Sequence, residues 1–139
     1  MNFKKLSKKD WISFVVVIIV VLFIIFQFNI SKQKVDLIDS AVKEVKVNIV
    51  FPQKINKQTE LVDVLPESNA ILFVYEFSGD ATAEINDITL RNDSFLSTTC
   101  QNKILRSYLD NGIDIGYSYN IVNTTKRYSI YLSKENCLK

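Results

Sequence analysis

Two hydrophobic patterns follow one another along the first 51 residues. Residues 14–26 read FVVVIIVVLFIIF, apolar at every position, and from Trp11 to Ile30 only Ser13, Gln27 and Asn29 interrupt the run. Val and Ile favour strands in water. A lone segment in lipid must instead satisfy its own backbone, which only a helix does. Twenty residues at 1.5 Å each span about 30 Å, the hydrocarbon thickness of a bilayer. Each central Leu, Ile, Val or Phe contributes roughly −0.3 to −0.6 kcal/mol to insertion. The run over 11–30 is therefore expected to be a transmembrane helix. Its anchoring side chains are Trp11, Phe14, Ile18, Leu22 and Phe26, with Trp11 at the interface.

The exit of this run, IIFQFNISKQ, offers no pair of small residues for a leader peptidase. No cysteine occurs before position 100, so no processed lipid-bearing cysteine is expected either. The segment reads as an uncleaved signal anchor. Lys4, Lys5, Lys8 and Lys9 precede it, and only Lys32 and Lys34 follow closely. By the positive-inside rule residues 1–10 form a cytoplasmic tail and the chain after residue 30 lies outside.

The second pattern is amphipathic. In residues 31–51, Val35, Ile38, Val42, Val45 and Ile49 recur at spacings of three and four, which predicts a juxtamembrane helix with one apolar stripe. The stripe is expected to lie on the following domain. Self-association through residues 11–49 is the alternative use, giving a homo-oligomer. The stretch from Val45 to Phe51 also alternates, so its second half reads as a strand as well, and Pro52 ends whatever precedes it.

Residues 52–139 predict a small α+β domain. TELVDVL (59–65) and AILFVYEF (70–77) flank PESN as a β-hairpin. Residues 82–97 read as helical, with Ile85 and Ile88 inward. The run TTCQNKILRSYLDNG predicts a better helix, capped by Thr98 or Thr99, with Ile104, Leu105, Tyr108 and Leu109 on one face and Gly112 at the left-handed stop. IDIGYSYNIV (113–122) and RYSIYLS (127–133) alternate as two more strands. The expected fold is an antiparallel sheet of about four strands with helices on one face.

Charge divides the chain at the same place. Six lysines against Asp10 give residues 1–34 a net +5, whereas the remaining 11 basic and 14 acidic residues give −3. The mildly acidic outer domain is not expected to bind nucleic acid. The heavy use of Asn, Lys and Ile fits an AT-rich genome. In a Gram-negative cell the protein would sit in the inner (cytoplasmic) membrane, its C-terminal domain periplasmic.

Cys100 and Cys137 are the only cysteines and both fall on the outer side. An even count in an oxidising compartment points to one disulfide, worth roughly 3–4 kcal/mol on the chain-entropy argument. A reactive thiol would need a nearby cation, metal or second thiol motif. The sequence contains no histidine and no C-x-x-C. Ser-His-Asp and Cys-His catalysis are excluded, and no metal site, cofactor or phosphate-binding loop is expected. Glu84 and Asp87 share a helical spacing, a pattern more often solvated surface than a catalytic pair. The chain reads as no enzyme.

Tyrosine is the remaining candidate chemistry. Tyr75, Tyr117, Tyr119 and Tyr131 lie in predicted strands and would serve a partner-binding face, since Tyr offers contact area at low entropic cost. Ordinary packing is the competing use. The pattern P-x-x-I-N-x-x-T-x-L from Pro52, the strand bearing Tyr75, Cys100, the helix ending in LDNG, then I-x-I-x-Y-x-Y and Cys137, resembles small membrane-anchored periplasmic bacterial proteins with no assigned activity. The resemblance covers roughly residues 52–137 and implies a disulfide-stapled α+β domain with no active site to transfer.

The expected function is a single-pass, membrane-anchored protein-interaction domain, an accessory or scaffold binding another envelope protein. An immunity or inhibitor protein against a periplasm-acting toxin or hydrolase is the first rival, and a ligand-sensing domain the second.

Overall fold

The computed structural model describes residues 8–78 and 93–138, with side chains from Val15 in the first stretch and from Leu96 in the second. Two compact units emerge, Met1–Lys34 and Val35–Lys139. Helix α1 runs from Lys8 to Asn48 as one element of 41 residues. The strand read over the end of this stretch is not formed. Val45 and Ile49 pack on the core at helical spacing, and that burial decides between the two periodicities. The helix is long and apolar enough to cross a membrane, with a mean hydropathy of 2.4 in its most apolar window. From Val16 to Phe26 every residue is exposed on all sides of the helix. The backbone at Trp11 and Phe14 is helical.

The described residues of the second unit form a five-stranded sheet in the order β1-β2-β3-β4-β5. Its strands are β1 (Gln53–Lys54), β2 (Thr59–Pro66), β3 (Ala70–Phe77), β4 (Asp114–Ile121) and β5 (Arg127–Leu132). Two hairpins appear as expected, β2–β3 and β4–β5. The expected all-antiparallel arrangement is corrected by the central pair. β3 and β4 run parallel, from Ala70↔Asp114 to Phe77↔Ile121. A parallel neighbour needs a crossover, and α2 (Asp93–Gln101) and α3 (Lys103–Asp110) stand between the two strands in the chain. They return it to the end where β3 began, so the Asp114 N–H donates to the Asn69 carbonyl. The count of about four strands becomes five because the two residues of β1 add to the edge of β2.

One helix was expected from Thr98 to Asp110; two are found. Asn102 divides them, and its side-chain oxygen accepts from the N–H groups of Ile104 and Leu105 at 3.0 and 3.1 Å. Asn102, not Thr98 or Thr99, is therefore the N-cap of α3, using the acceptor that makes Asn a good capping residue. Thr99 is buried beside Tyr117, 3.3 Å between hydroxyls. Gly112 has φ 72° at the end of α3, the left-handed stop its position predicted. The expected helix over 82–97 falls largely outside the described residues, as do Ile85, Ile88, Glu84 and Asp87.

The core lies on one face of the sheet. Ile38, Ala41 and Val42 of α1 meet Leu61 and Val64 of β2, Ile71 of β3, Ile115 of β4, Ile130 and Leu132 of β5, and Leu109 at the end of α3. The predicted stripe thus lies on its own domain from Ile38 to Ile49, while Val35, its first member, is exposed. Burying such side chains contributes about 1.5–3 kcal/mol each. The opposite face has no helix over it among the described residues, yet Leu72 and Ser118 are buried there. Their cover comes from β5. Tyr131 lies across Gly116, where a Cβ would stand 2.8 Å from both the Tyr131 ring and Leu72. Its hydroxyl donates to Glu67 at 3.1 Å. Arg127 donates to the Ser118 hydroxyl at 2.6 Å. A disulfide joins Cys100 of α2 to Cys137, Cα to Cα 5.5 Å, and so fixes the segment after β5 to the crossover.

Candidate functional site

On the helix-covered face, the second half of α1 and helix α3 stand apart over β3 and leave an open apolar groove. Its volume is about 220 Å³. Ala41, Val45 and Ile49 form one wall, Ile104, Leu105 and Tyr108 the other, and Ile71 and Phe73 the floor. Each wall follows from helical spacing. Residues four apart on α1 and α3 point to the same side. Ile104, assigned from sequence to the inward face of its helix, instead stands 69% exposed at the rim. Asn102 starts α3 one residue before Lys103, so Ile104 falls in the first turn, at the mouth of the groove.

The polar lining is sparse. Glu44 and Asn48 face the groove from α1. Glu44 forms no ion pair among the described residues. Burial raises the Tyr108 hydroxyl above its ordinary pKa, and the negative charge of Glu44 raises it further. Tyr108 therefore stays a neutral phenol at neutral pH. Such a surface can bind an apolar segment and select for a cation beside it.

From the groove floor an aromatic row continues across the sheet. Phe73 stacks with Tyr117 at 5.7 Å between centroids, Tyr117 with Tyr75 at 6.4 Å, and Tyr75 with Tyr119 at 4.9 Å. Stacked pairs contribute about 0.5–1.5 kcal/mol beyond area burial. Burial raises the pKa of all three tyrosines; for Tyr75 the neighbouring Tyr119 and Tyr117 add to it. Tyr117 is buried, and Tyr75 and Tyr119 are half-buried. The four candidate tyrosines are not one surface. Three line up under the helices, while Tyr131 lies on the opposite face against Gly116.

The remaining candidates separate by unit. Ile18, Leu22 and Phe26 lie in the apolar helix, 42%, 59% and 62% exposed. Cys100 and Cys137 are bonded to each other. Among the described residues no cluster of His, Cys, Asp or Glu could hold a metal ion. Sequence reasoning placed Val45, Ile49, Leu105 and Tyr108 on apolar faces but gave no sign that they converge. The available signal was Ile104, an apolar residue in the first turn of a helix whose core contact comes from Leu109.

The sequence matches no protein-family model and no curated protein. Solved structures do share the fold. A protein of Pseudomonas aeruginosa described as secreted superposes with a TM-score of 0.69 at 17% identity, over 78% of this chain and 96% of its own. The pilotin of the Vibrio vulnificus type II secretion system gives 0.65 at 12% identity, over 80% and 97%. The type II secretion pilotin of Vibrio cholerae gives 0.62 at 18%, over 80% and 98%.

Proposed function

We propose that this protein is a non-catalytic accessory factor of the bacterial envelope, held in the inner membrane by residues 11–30. Its domain from residue 52 onward, mounted on the helix that precedes it, faces the periplasm and binds another envelope protein. The carrying observation is the open apolar groove between α1 and α3, with the Glu44 carboxylate, in no ion pair among the described residues, in its lining. An apolar concavity on a small domain is ordinarily covered by a partner. The shared fold with two secretion pilotins supports the same reading. So do the lysine asymmetry about the apolar run and the disulfide, which belongs to an oxidising compartment.

The mechanism is tethering. Anchoring confines the domain to a thin layer and raises its effective concentration for partners near the membrane. The groove supplies the contact, and no bond is made or broken.

A photocrosslinking residue at position 104, introduced in the full-length chain in membranes, tests this. A discrete protein adduct is expected from position 104 and not from the exposed loop position 57. Equal labelling at both positions, or none at 104, would remove the groove from the account.

A further inference from the structure

The two edges of the sheet are protected to very different degrees. β2 is partly covered by β1 and bulged between Leu61 and Asp63. It is also tied to α1 by Lys46 and Asp63 at 2.8 Å. Short partners, bulges and inward-held charges are the usual means of stopping a sheet from adding a foreign strand. β5 has a continuous register against β4, from Ile115↔Leu132 to Asn120↔Arg127, and no bulge.

Hydrogen bonding fixes which groups of β5 point outward. The Ile121 N–H donates to the Lys126 carbonyl at 3.1 Å. In an antiparallel ladder such bonded pairs alternate, so Tyr128, Ile130 and Leu132 turn their backbones toward β4. The Val122 N–H donates to Phe77 on the other side of β4, the same alternation. Arg127, Ser129 and Tyr131 therefore turn their N–H and carbonyl groups away from the sheet. None of these groups has a partner among the described residues.

A hollow of about 430 Å³ runs beside this edge, lined by residues 129–132, by Leu96 of α2 and by Asn136. Through Leu96 and Asn136 it continues into a larger hollow beside the disulfide. Lys126 and Arg127 stand at the start of the strand, and neither has a carboxylate partner among the described residues.

We propose that β5 is a second docking surface, distinct from the groove, that accepts an extended acidic segment of a partner protein as a sixth strand. Side chains on one side of the added strand would enter the hollow toward Leu96 and are apolar. Those on the other side lie beside Arg127, Ser129 and Tyr131, and there a carboxylate answers Arg127. This is strand addition, in which backbone bonds supply affinity and alternate side chains supply selection. A second copy of this chain is a poorer occupant, because its own β5 carries the same cation and no carboxylate.

The test uses full-length protein in nanodiscs with two synthetic peptides, one alternating Val and Glu, the other Val and Lys. The Val-Glu peptide is expected to bind and to slow hydrogen exchange at the Ser129 and Tyr131 amides. Arg127→Glu should weaken it several-fold and improve the Val-Lys peptide. Ser129→Pro should abolish binding of either, because the lost N–H is an outward one. Ile104→Asp, in the groove, should leave both affinities unchanged. Equal affinity for the two peptides, no binding, or protection of those amides that rises with protein concentration without peptide would overturn the proposal.

Discussion

Residues 16–30 and 35–48 of α1 belong to one helix and draw on the same amino acids, yet they have opposite surroundings. In the first stretch Val, Ile, Leu and Phe are exposed around the whole circumference. In the second, Ile38, Ala41 and Val42 are buried while Val35, Leu37 and Val47 are not. A helix that is apolar all round has no protein side to turn to, and it is long and apolar enough to cross a membrane. A helix with one stripe has a sheet to cover. The difference lies in where Lys and Asp stand, not in how greasy the apolar residues are.

The largest expected effect separates these two stretches. Ile38→Ala removes a fully buried side chain and should lower the unfolding free energy of the domain by about 2–5 kcal/mol. Leu22→Ala should leave the domain's denaturation midpoint where it is. Equal losses from both, read in detergent by chemical denaturation, would mean that the first stretch is packed protein. The next effect runs the other way. Leu22→Asp should cost about 3 kcal/mol of membrane insertion and be seen as protein lost from the membrane fraction, with domain stability unchanged.

The smallest effect concerns how the second stretch is fixed to the sheet. The hydrogen bond from Lys46 lowers the pKa of Asp63; burial opposes it, and the Val64 N–H and the Lys46 charge lower it further. A lowered carboxylate pKa adds stability above the ordinary Asp range, and that stability is lost as pH falls through the folded value, below roughly 4. Both partners are about two-fifths exposed, so solvent screening holds the pair to about 1 kcal/mol or less. Asp63→Asn should be slightly less stable than wild type at neutral pH, and the gap should close as pH falls below the ordinary Asp range. A gap that widened in acid would contradict the assignment.

Much of this was legible in the chain. The all-round run, the stripe at three and four, the two hairpins and the stop at Gly112 rest on local periodicity and backbone chemistry. The parallel β3–β4 pair was not legible, because strand direction depends on where a crossover returns the chain, and the hydrophobic pattern is the same either way. Asn102 was also hidden. An Asn inside an amphipathic run looks like surface until its side chain is seen accepting from Ile104 and Leu105. For the site, the tyrosines and both helix faces could be named. The groove could not, since it arises from the space between α1 and α3. Tyr131 was grouped with Tyr75, Tyr117 and Tyr119 by residue type, and strand parity places it on the opposite face.

The most direct test of the central claim is protease accessibility of the full-length chain in Gram-negative spheroplasts, combined with fractionation. An uncleaved anchor with an exported domain predicts full-length protein in the membrane fraction, its domain digested from outside, and Cys100 and Cys137 blocked to thiol reagents until reduced. A shortened soluble product, or a full-length chain protected from protease with both thiols free, would contradict it.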